Sequence, residues 1–280
     1  MARILSILVG LFFTAALIWS FANGAYIAAT EGMGEETAEH AFHEHPKDLH
    51  LASDGAFGKF DRQQLQRGFQ VYKEVCAACH SLRLVAFRDL AALGYNEAEV
   101  KAIAAGFQVP GIDPNTGETT TVPGIATDYF PKPFANDVAA RAANNNAIPP
   151  DLSLIAKARH NGGAYTYSLL TGYQGQPAEL LEKFPDAKTG EGLYYNPYFA
   201  NLNLAMAPPI TADGQVSYAD GTDPSVDQMS KDVAAFLVWT AEPTLEKRKQ
   251  TGWPVLGFLL FATILGYMAY RSIWADKKKK

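Results

Sequence analysis

A chain of 280 residues, 48% hydrophobic and only 19% charged, can bury one sizeable core and is not a largely disordered protein. The formal net charge is −5, yet Lys277 to Lys280 supply four positive charges, and residues 25–252 hold 18 Lys and Arg against 28 Asp and Glu, a net of −10. So acidic a body repels phosphates and excludes a nucleic-acid binder, while it suits either a basic protein partner or plain solubility.

The chain begins with Arg3 and then Ile4 to Ala22, 19 residues without a charge. Two readings stay open for residues 1–24: a signal peptide ending in the small residues around Ala22 to Ala25, or a retained N-terminal anchor. Residues 25–56 form an acidic, His-rich arm, with Glu31, Glu35, Glu36 and Glu39 among His40, His43, His45 and His50. Four histidines invite a metal-site reading, but no cysteine or helical spacing supports one, so a solvated, flexible linker is expected. Asp61 with Gln64 three residues on is a capping-box pattern. Leu65, Phe69, Tyr72 and Val75 then recur at helical spacing, in a helix that runs directly into Cys76.

Cys76-Ala77-Ala78-Cys79-His80 follows, and these are the only two cysteines in the chain. A pair so close cannot staple a fold, which excludes a disulfide framework. The pattern C-x-x-C-H is instead the attachment signature for one covalent haem c. Each thiol adds across a vinyl group of the ring, and the next histidine is held against the iron. A zinc site would need two further ligands. A thioredoxin-like pair would follow a strand, whereas an amphipathic helix precedes this one.

Further on, Glu97 to Ala105 reads as a helix ending before Gly106. Gln108 to Asp137, rich in Pro, Gly and Thr, reads as loop with a short hairpin at most. Val138 to Asn144 is a short helix broken by Pro149-Pro150. Asp151 is expected to cap a helix through His160 that stops at Gly162-Gly163, and Tyr165 to Leu170 is helical again. Residues 172–222 read as irregular. The last helix of the body is expected to start at Pro224, a favoured first-turn residue, with a face of Met229, Val233, Phe236, Leu237 and Thr240. Gly252 to Tyr270 is a second charge-free stretch of 19 residues, with Trp253, Tyr267, Tyr270 and Trp274 near its ends and basic residues after it. It reads as a transmembrane helix over 252–274, with residues 275–280 a basic cytoplasmic tail. The expected fold is mainly α: a cytochrome c-like haem domain with long loops over 57–251, plus this C-terminal span.

The sixth iron position decides between relay and open-site chemistry. Met33 lies in the arm, Met229 on a core face and Met268 in the span, which leaves Met206 and His160. Met206 sits in Leu204-Ala205-Met206-Ala207-Pro208-Pro209, where two prolines stiffen the chain, and a thioether ligand raises the potential.

A series of stretches in fixed order resembles the cytochrome c1 family, the haem-bearing subunits of quinol:cytochrome c oxidoreductases. It runs from Gly68-Phe69-Gln70-Val71-Tyr72 through Pro149-Pro150-Asp151-Leu152-Ser153, Ala158-Arg159-His160 and Ser168-Leu169-Leu170-Thr171-Gly172-Tyr173. It ends with Tyr195-Asn196-Pro197-Tyr198-Phe199 and Met206-Ala207-Pro208-Pro209. The resemblance implies His80 and Met206 as axial ligands and Arg159 and Tyr165 on a haem propionate. It further implies Pro150 fixing the proximal histidine through its carbonyl and Asn144 lining the same pocket. Some bacterial relatives carry extra cysteines that brace the methionine loop; this chain has none, so packing and prolines must hold it.

The function so implied is electron transfer, with no bond-making step in this chain itself but within a quinol–cytochrome-c reductase. The implied partners are a cytochrome b subunit, a Rieske iron–sulfur donor and a cytochrome c acceptor, in a complex that is dimeric in the family. The haem domain would face the periplasm from a bacterial inner membrane or its equivalent. A stand-alone anchored cytochrome c and an open-site haem enzyme or gas sensor are the alternatives.

Overall fold

The structure, a computed structural model, describes residues 2–30, 36–275 and 277. Met33, Glu31, Glu35 and the last three lysines lie outside them. The described residues divide into two units, residues 1–43 with 177–188, and residues 44–176 with 189–280.

In the first unit, α1 (Ala2–Thr30) is a single helix with no buried residue. Helix α2 (Ala38–Phe42) starts at Thr37, whose side chain accepts the His40 amide. The Phe42 ring meets Phe184 edge-on at 6.3 Å, beside α8 (Ala178–Lys183). Helix α8 and a 3-10 turn at Pro185–Ala187 interrupt the stretch expected to be irregular. At six residues, less than two turns, α8 carries little periodicity to read; a Glu179–Lys183 pair at i,i+4 supports it.

The second unit is built on α3 (Arg62–Val71) packed against α9 (Val226–Ala241). Asp61 caps α3 by accepting from the Gln63 and Gln64 amides. The reciprocal half of the expected capping box does not form, because the Gln64 side chain donates instead to Asp232 on α9, at 3.1 Å. Leu65, Phe69 and Tyr72 are buried as expected. Phe69, Tyr72, Phe87, Phe107, Phe130, Phe236 and Trp239 form a chain of ring contacts with centroids 4.5–6.0 Å apart. Burying each such side chain stabilises the fold by roughly 1.5–3 kcal/mol. At Gly68 the helices touch backbone to backbone: a Cβ there would lie 2.0 Å from the Asp232 carbonyl oxygen.

Helix α4 (Glu97–Ala105), capped reciprocally by Asn96 and Glu99, stops where the sequence says. Strands β1 (Gln108–Ile112) and β2 (Thr119–Pro123) make the short hairpin, pairing Gln108 with Pro123 and Ile112 with Thr119. Helix α5 (Asp137–Ala143) begins at Asn136. The helix expected from Asp151 to His160 shrinks to α6 (Ile155–Ala158), because the Asp151 carboxylate is spent on bonds outside any helix. Gly162-Gly163 does not stop a helix but opens α7 (Gly162–Thr171). A Cβ on Gly162 would fall 2.1 Å from the Ala156 carbonyl, so glycine there permits α6 and α7 to meet.

Strands β3 (Tyr194–Tyr195) and β4 (Asn203–Leu204) pair antiparallel just before Met206. Helix α9 begins after Pro224: Ser225 is the cap, its hydroxyl accepting the Gln228 amide, and the Pro224 carbonyl is taken by the Gly214 amide. The expected face Met229, Val233, Phe236, Leu237 and Thr240 is buried.

Helix α10 (Leu245–Trp274) starts before the charge-free stretch, with Leu245 in the core. It and α1 are long and apolar enough to cross a membrane, and neither apolar stretch is buried.

The arm is less free than expected. The Glu44 amide donates to Pro197 O at 2.8 Å and the Lys47 amide to Ser168 Oγ at 2.8 Å. The Lys47 ammonium sits over the Tyr167 and Tyr198 rings and donates to Thr171. Polar composition pointed to solvent, but one lysine with two aromatic partners ties this segment down.

Candidate metal centre

The helix that leads into the motif changes pitch as it ends. Residues Tyr72–Cys76 form a π turn after α3, and the turn continues as the Cys79 and His80 amides donate to Cys76 O at 3.1 and 2.9 Å. Residues three and four apart on such a turn share a face, so Cys76, Cys79 and His80 look the same way. Both cysteines are free and half-buried. Burial pushes the Cys76 thiol up to about 12, with Cys79 adding to the effect. A thiol held neutral is a poor redox nucleophile.

The His80 ring is fixed from behind. Its Nδ1 lies 2.8 Å from the Pro150 carbonyl, which can only accept, so Nδ1 carries the proton and Nε2 keeps its lone pair. Burial lowers the His80 pKa, against the Pro150 bond and the Asp151 charge, which raise it. The chain on either side is pinned as well. The buried Tyr72 hydroxyl donates to His80 O at 2.9 Å. Asp151 accepts from Ser81 Oγ at 2.7 Å, Arg83 N at 2.9 Å and Ser153 N at 3.0 Å. Burial alone would raise the Asp151 carboxyl; these donors outweigh it and hold it below the ordinary value.

Met206 lies two residues after β4, half-buried. Its loop is braced without a disulfide. The Tyr173 hydroxyl donates to Met206 O at 3.0 Å, Gln215 Nε2 to Pro209 O at 2.8 Å, and Thr189 Oγ1 to Asn203 Oδ1 at 2.7 Å. Leu202, in the left-handed region at φ 64°, receives the Asn196 amide on its carbonyl and turns the chain into β4. Burial, with the phenols of Tyr165 and Tyr194 nearby, raises the Tyr173 hydroxyl and keeps it a donor.

Arg159 and Tyr165 come together, the guanidinium 6.0 Å from the ring centroid across the left-handed Asn161 that opens α7. Arg159 is exposed, and its guanidinium makes a 3.2 Å contact to Ala158 O. The Asn144 side-chain amide donates back to Ala140 O at 2.7 Å and closes the end of α5. Sequence reasoning passed over Tyr72 as a core face, Asp151 as a helix cap and Tyr173 as part of a recurring stretch. Each acts through one polar atom aimed at backbone far along the chain, a relation that local spacing does not carry.

The donor set fits a covalent haem c: two free thiols and one imidazole with a free Nε2 on a single face, in a turn held by backbone and carboxylate bonds. The Cytochrome C1 family model matches residues 51–277. The chain belongs to the cytochrome c1 family. Among its relatives, cytochrome c1 of Rhodospirillum rubrum is 46% identical over 233 residues, 80% of this chain and 85% of that one. Cytochrome c1 1, heme protein, mitochondrial, of Arabidopsis thaliana is 42% identical over 266 residues, 95% of this chain and 83% of that one. The cytochrome b-c1 complex catalytic subunit, mitochondrial, of Candida albicans is 41% identical over 243 residues, 87% and 81% of the two chains. Proteins of the cytochrome c1 family carry one covalently bound haem c.

Proposed function

We propose that this chain is the haem-bearing electron carrier of a membrane quinol:cytochrome c oxidoreductase, taking electrons from a Rieske-type iron–sulfur protein and passing them to a cytochrome c. The haem, when bound, supplies a one-electron ferric–ferrous couple. The residues do the rest. Cys76 and Cys79 would hold the ring by thioether bonds, and His80 Nε2 would bind its iron. Pro150 O holds the imidazole in the tautomer that leaves Nε2 free. Met206 would supply a thioether to the iron, its loop steadied by Tyr173 and by Pro208 and Pro209. Arg159, beside Tyr165, offers a forked cation to a propionate.

The observation that carries this reading is the 2.8 Å contact between His80 Nδ1 and Pro150 O, which prepares an imidazole for metal on the face that both thiols share. A filled sixth position makes a relay and closes the iron to gases and substrates. Replacement Met206→Leu tests it: the low-spin thioether band is expected to vanish and the reduction potential to fall. An unchanged spectrum and potential would remove Met206 from the role.

The protein is anchored through α10. Arg271 and the lysine-rich tail support a cytoplasmic carboxyl end, and with it a haem domain on the opposite, periplasmic face. A relative named as a subunit of the b-c1 complex supports assembly with a cytochrome b. Purification from native membranes in mild detergent is expected to bring down a haem-b subunit and an iron–sulfur protein. Isolation of the chain alone would favour a free-standing anchored cytochrome.

A further inference from the structure

Outside the two long helices, Phe57 is the most exposed large apolar side chain among the described residues, at 79%. It sits on a loop closed at its base by the Lys59 amide donating to Ala52 O at 2.9 Å. The turn is set by Gly55 at φ +66° and by Gly58, where a Cβ would fall 1.9 Å from Asp54 O. The loop is clamped to the start of α10. Lys249 Nζ donates to Ser53 O at 2.6 Å, the Phe60 amide donates to Glu246 Oε1 at 2.8 Å, and Arg62 pairs with Glu246 at 3.4 Å. So held, the Phe57 ring stacks on Trp253, centroids 5.2 Å apart and planes 9° from parallel.

Trp253 opens the charge-free stretch of α10, where an amphipathic ring marks the boundary between headgroups and hydrocarbon. A helix rises 1.5 Å per residue, so Lys249 lies about 6 Å outside that boundary, at the depth of lipid phosphates. A cleft of about 330 Å³ beside the stack is lined by Phe57, Lys59, Glu246, Lys249, Gln250 and Trp253, among others. Glu246 is already engaged by Phe60 and Arg62, while Lys59 is exposed and Lys249 keeps donors beyond the one given to Ser53.

We infer that the loop over residues 52–59 is a second membrane contact: Phe57 enters the interface beside Trp253, and the adjoining cleft seats the phosphate of an anionic lipid on Lys59 and Lys249. An apolar tip with cations just above it matches the layering of a bilayer surface, and the contact is continuous with the membrane-spanning helix. A helix that is one piece from the core into the membrane, clamped at this loop, then sets the tilt of the whole domain.

The inference rests on α10 crossing the membrane, and the test separates the two. Full-length holoprotein carrying Phe57→Cys is spin-labelled and placed in vesicles of phosphatidylcholine and phosphatidylglycerol. A label stoichiometry of one shows Cys76 and Cys79 occupied. Parallel labels go in through Ile264→Cys, within the span, and Asn115→Cys, on the exposed β1–β2 turn. The ratio of oxygen to aqueous nickel-chelate collisions at position 57 is expected to exceed that at 115 several-fold and to fall below that at 264. A ratio at 57 equal to that at 115, with 264 still deep, overturns the inference and leaves the anchor standing. Shielding from both reagents overturns it too, since a protein surface would then cover the ring. With Phe57 intact, Lys59→Glu is expected to lose phosphatidylglycerol otherwise retained through mild detergent, measured by lipid phosphate. Unchanged retention overturns the headgroup seat.

Discussion

Asp151 accepts from a hydroxyl and two backbone amides and so joins the segment after His80 to the segment whose carbonyl holds the His80 ring. Replacement Asp151→Ala leaves all three donors without their partner. A loss of about 1–3 kcal/mol is expected in urea unfolding, because unsatisfied donors in a partly buried site cost about that much. Asp151→Asn retains an acceptor oxygen and is expected to recover part of the loss. At this scale the five residues of the haem motif are legible in the sequence, since thioether chemistry demands residue types at fixed spacing. Asp151 is not, since a carboxylate after Pro-Pro looks the same whether it caps a helix or staples two loops.

The contact of α3 with α9 shows how element packing depends on single small residues. Gly68→Ala would push a methyl to 2.0 Å from the Asp232 carbonyl and 2.7 Å from Phe236 Cβ. Because both obstacles sit on a packed helix, the two helices must separate, and destabilisation of about 1–3 kcal/mol is expected in thermal or urea melts. Beside this contact the buried Asp232 is met by Arg67 Nε at 2.8 Å and by Gln64 and Gln228, which satisfies an otherwise costly charge. The joint between α7 and α9 is pH-dependent. Asp227 accepts from Tyr167 at 2.6 Å and from Lys231 at 2.6 Å. Partial burial would raise its carboxyl, but these donors prevail and hold it below the ordinary value. A depressed folded pKa contributes stability that is complete above the unfolded value of about 3.9 and is lost as pH falls through the folded one. Asp227→Asn is therefore expected to lower the urea midpoint at neutral pH and to differ little from the parent near pH 2, about the acid end of that window. Helix periodicity makes α3 and α9 legible from their apolar faces, whereas the Gln64 half of the capping box yields to Asp232 on distant α9, and α9 starts after Pro224, whose carbonyl is taken by the Gly214 amide.

At the scale of the molecule, α10 belongs to the haem domain before it belongs to the membrane. Leu245 is 8% exposed, and Glu246 and Lys249 hold the loop before α3. A chain ending after Gln250 keeps these contacts and is expected to stay folded with its haem, and to be released from the membrane if residues 1–24 are absent. A chain ending after Thr244 loses Leu245 and both clamps. It is expected to unfold about 2–5 kcal/mol more readily, as for removal of one buried leucine with its neighbours' bonds. Urea titration of the two fragments followed by haem absorbance compares them. Hydropathy located the charge-free stretch, but the beginning of the helix seven residues earlier depends on a core that hydropathy does not see.

The covalent haem motif, the two charge-free segments and the amphipathic faces of α3 and α9 follow from the sequence by itself, because each is written in residue types at short, regular spacing. So does membership of the cytochrome c1 family, which rests on ordered stretches along most of the chain. Tertiary structure alone decided how the imidazole of His80 is aimed, what braces the Met206 loop in the absence of a disulfide, that Asn144 closes its own helix, and that Lys47 draws the arm onto α7. Each of these is a hydrogen bond or ring contact between residues far apart in sequence, and such pairings exist only once the core has brought the segments together.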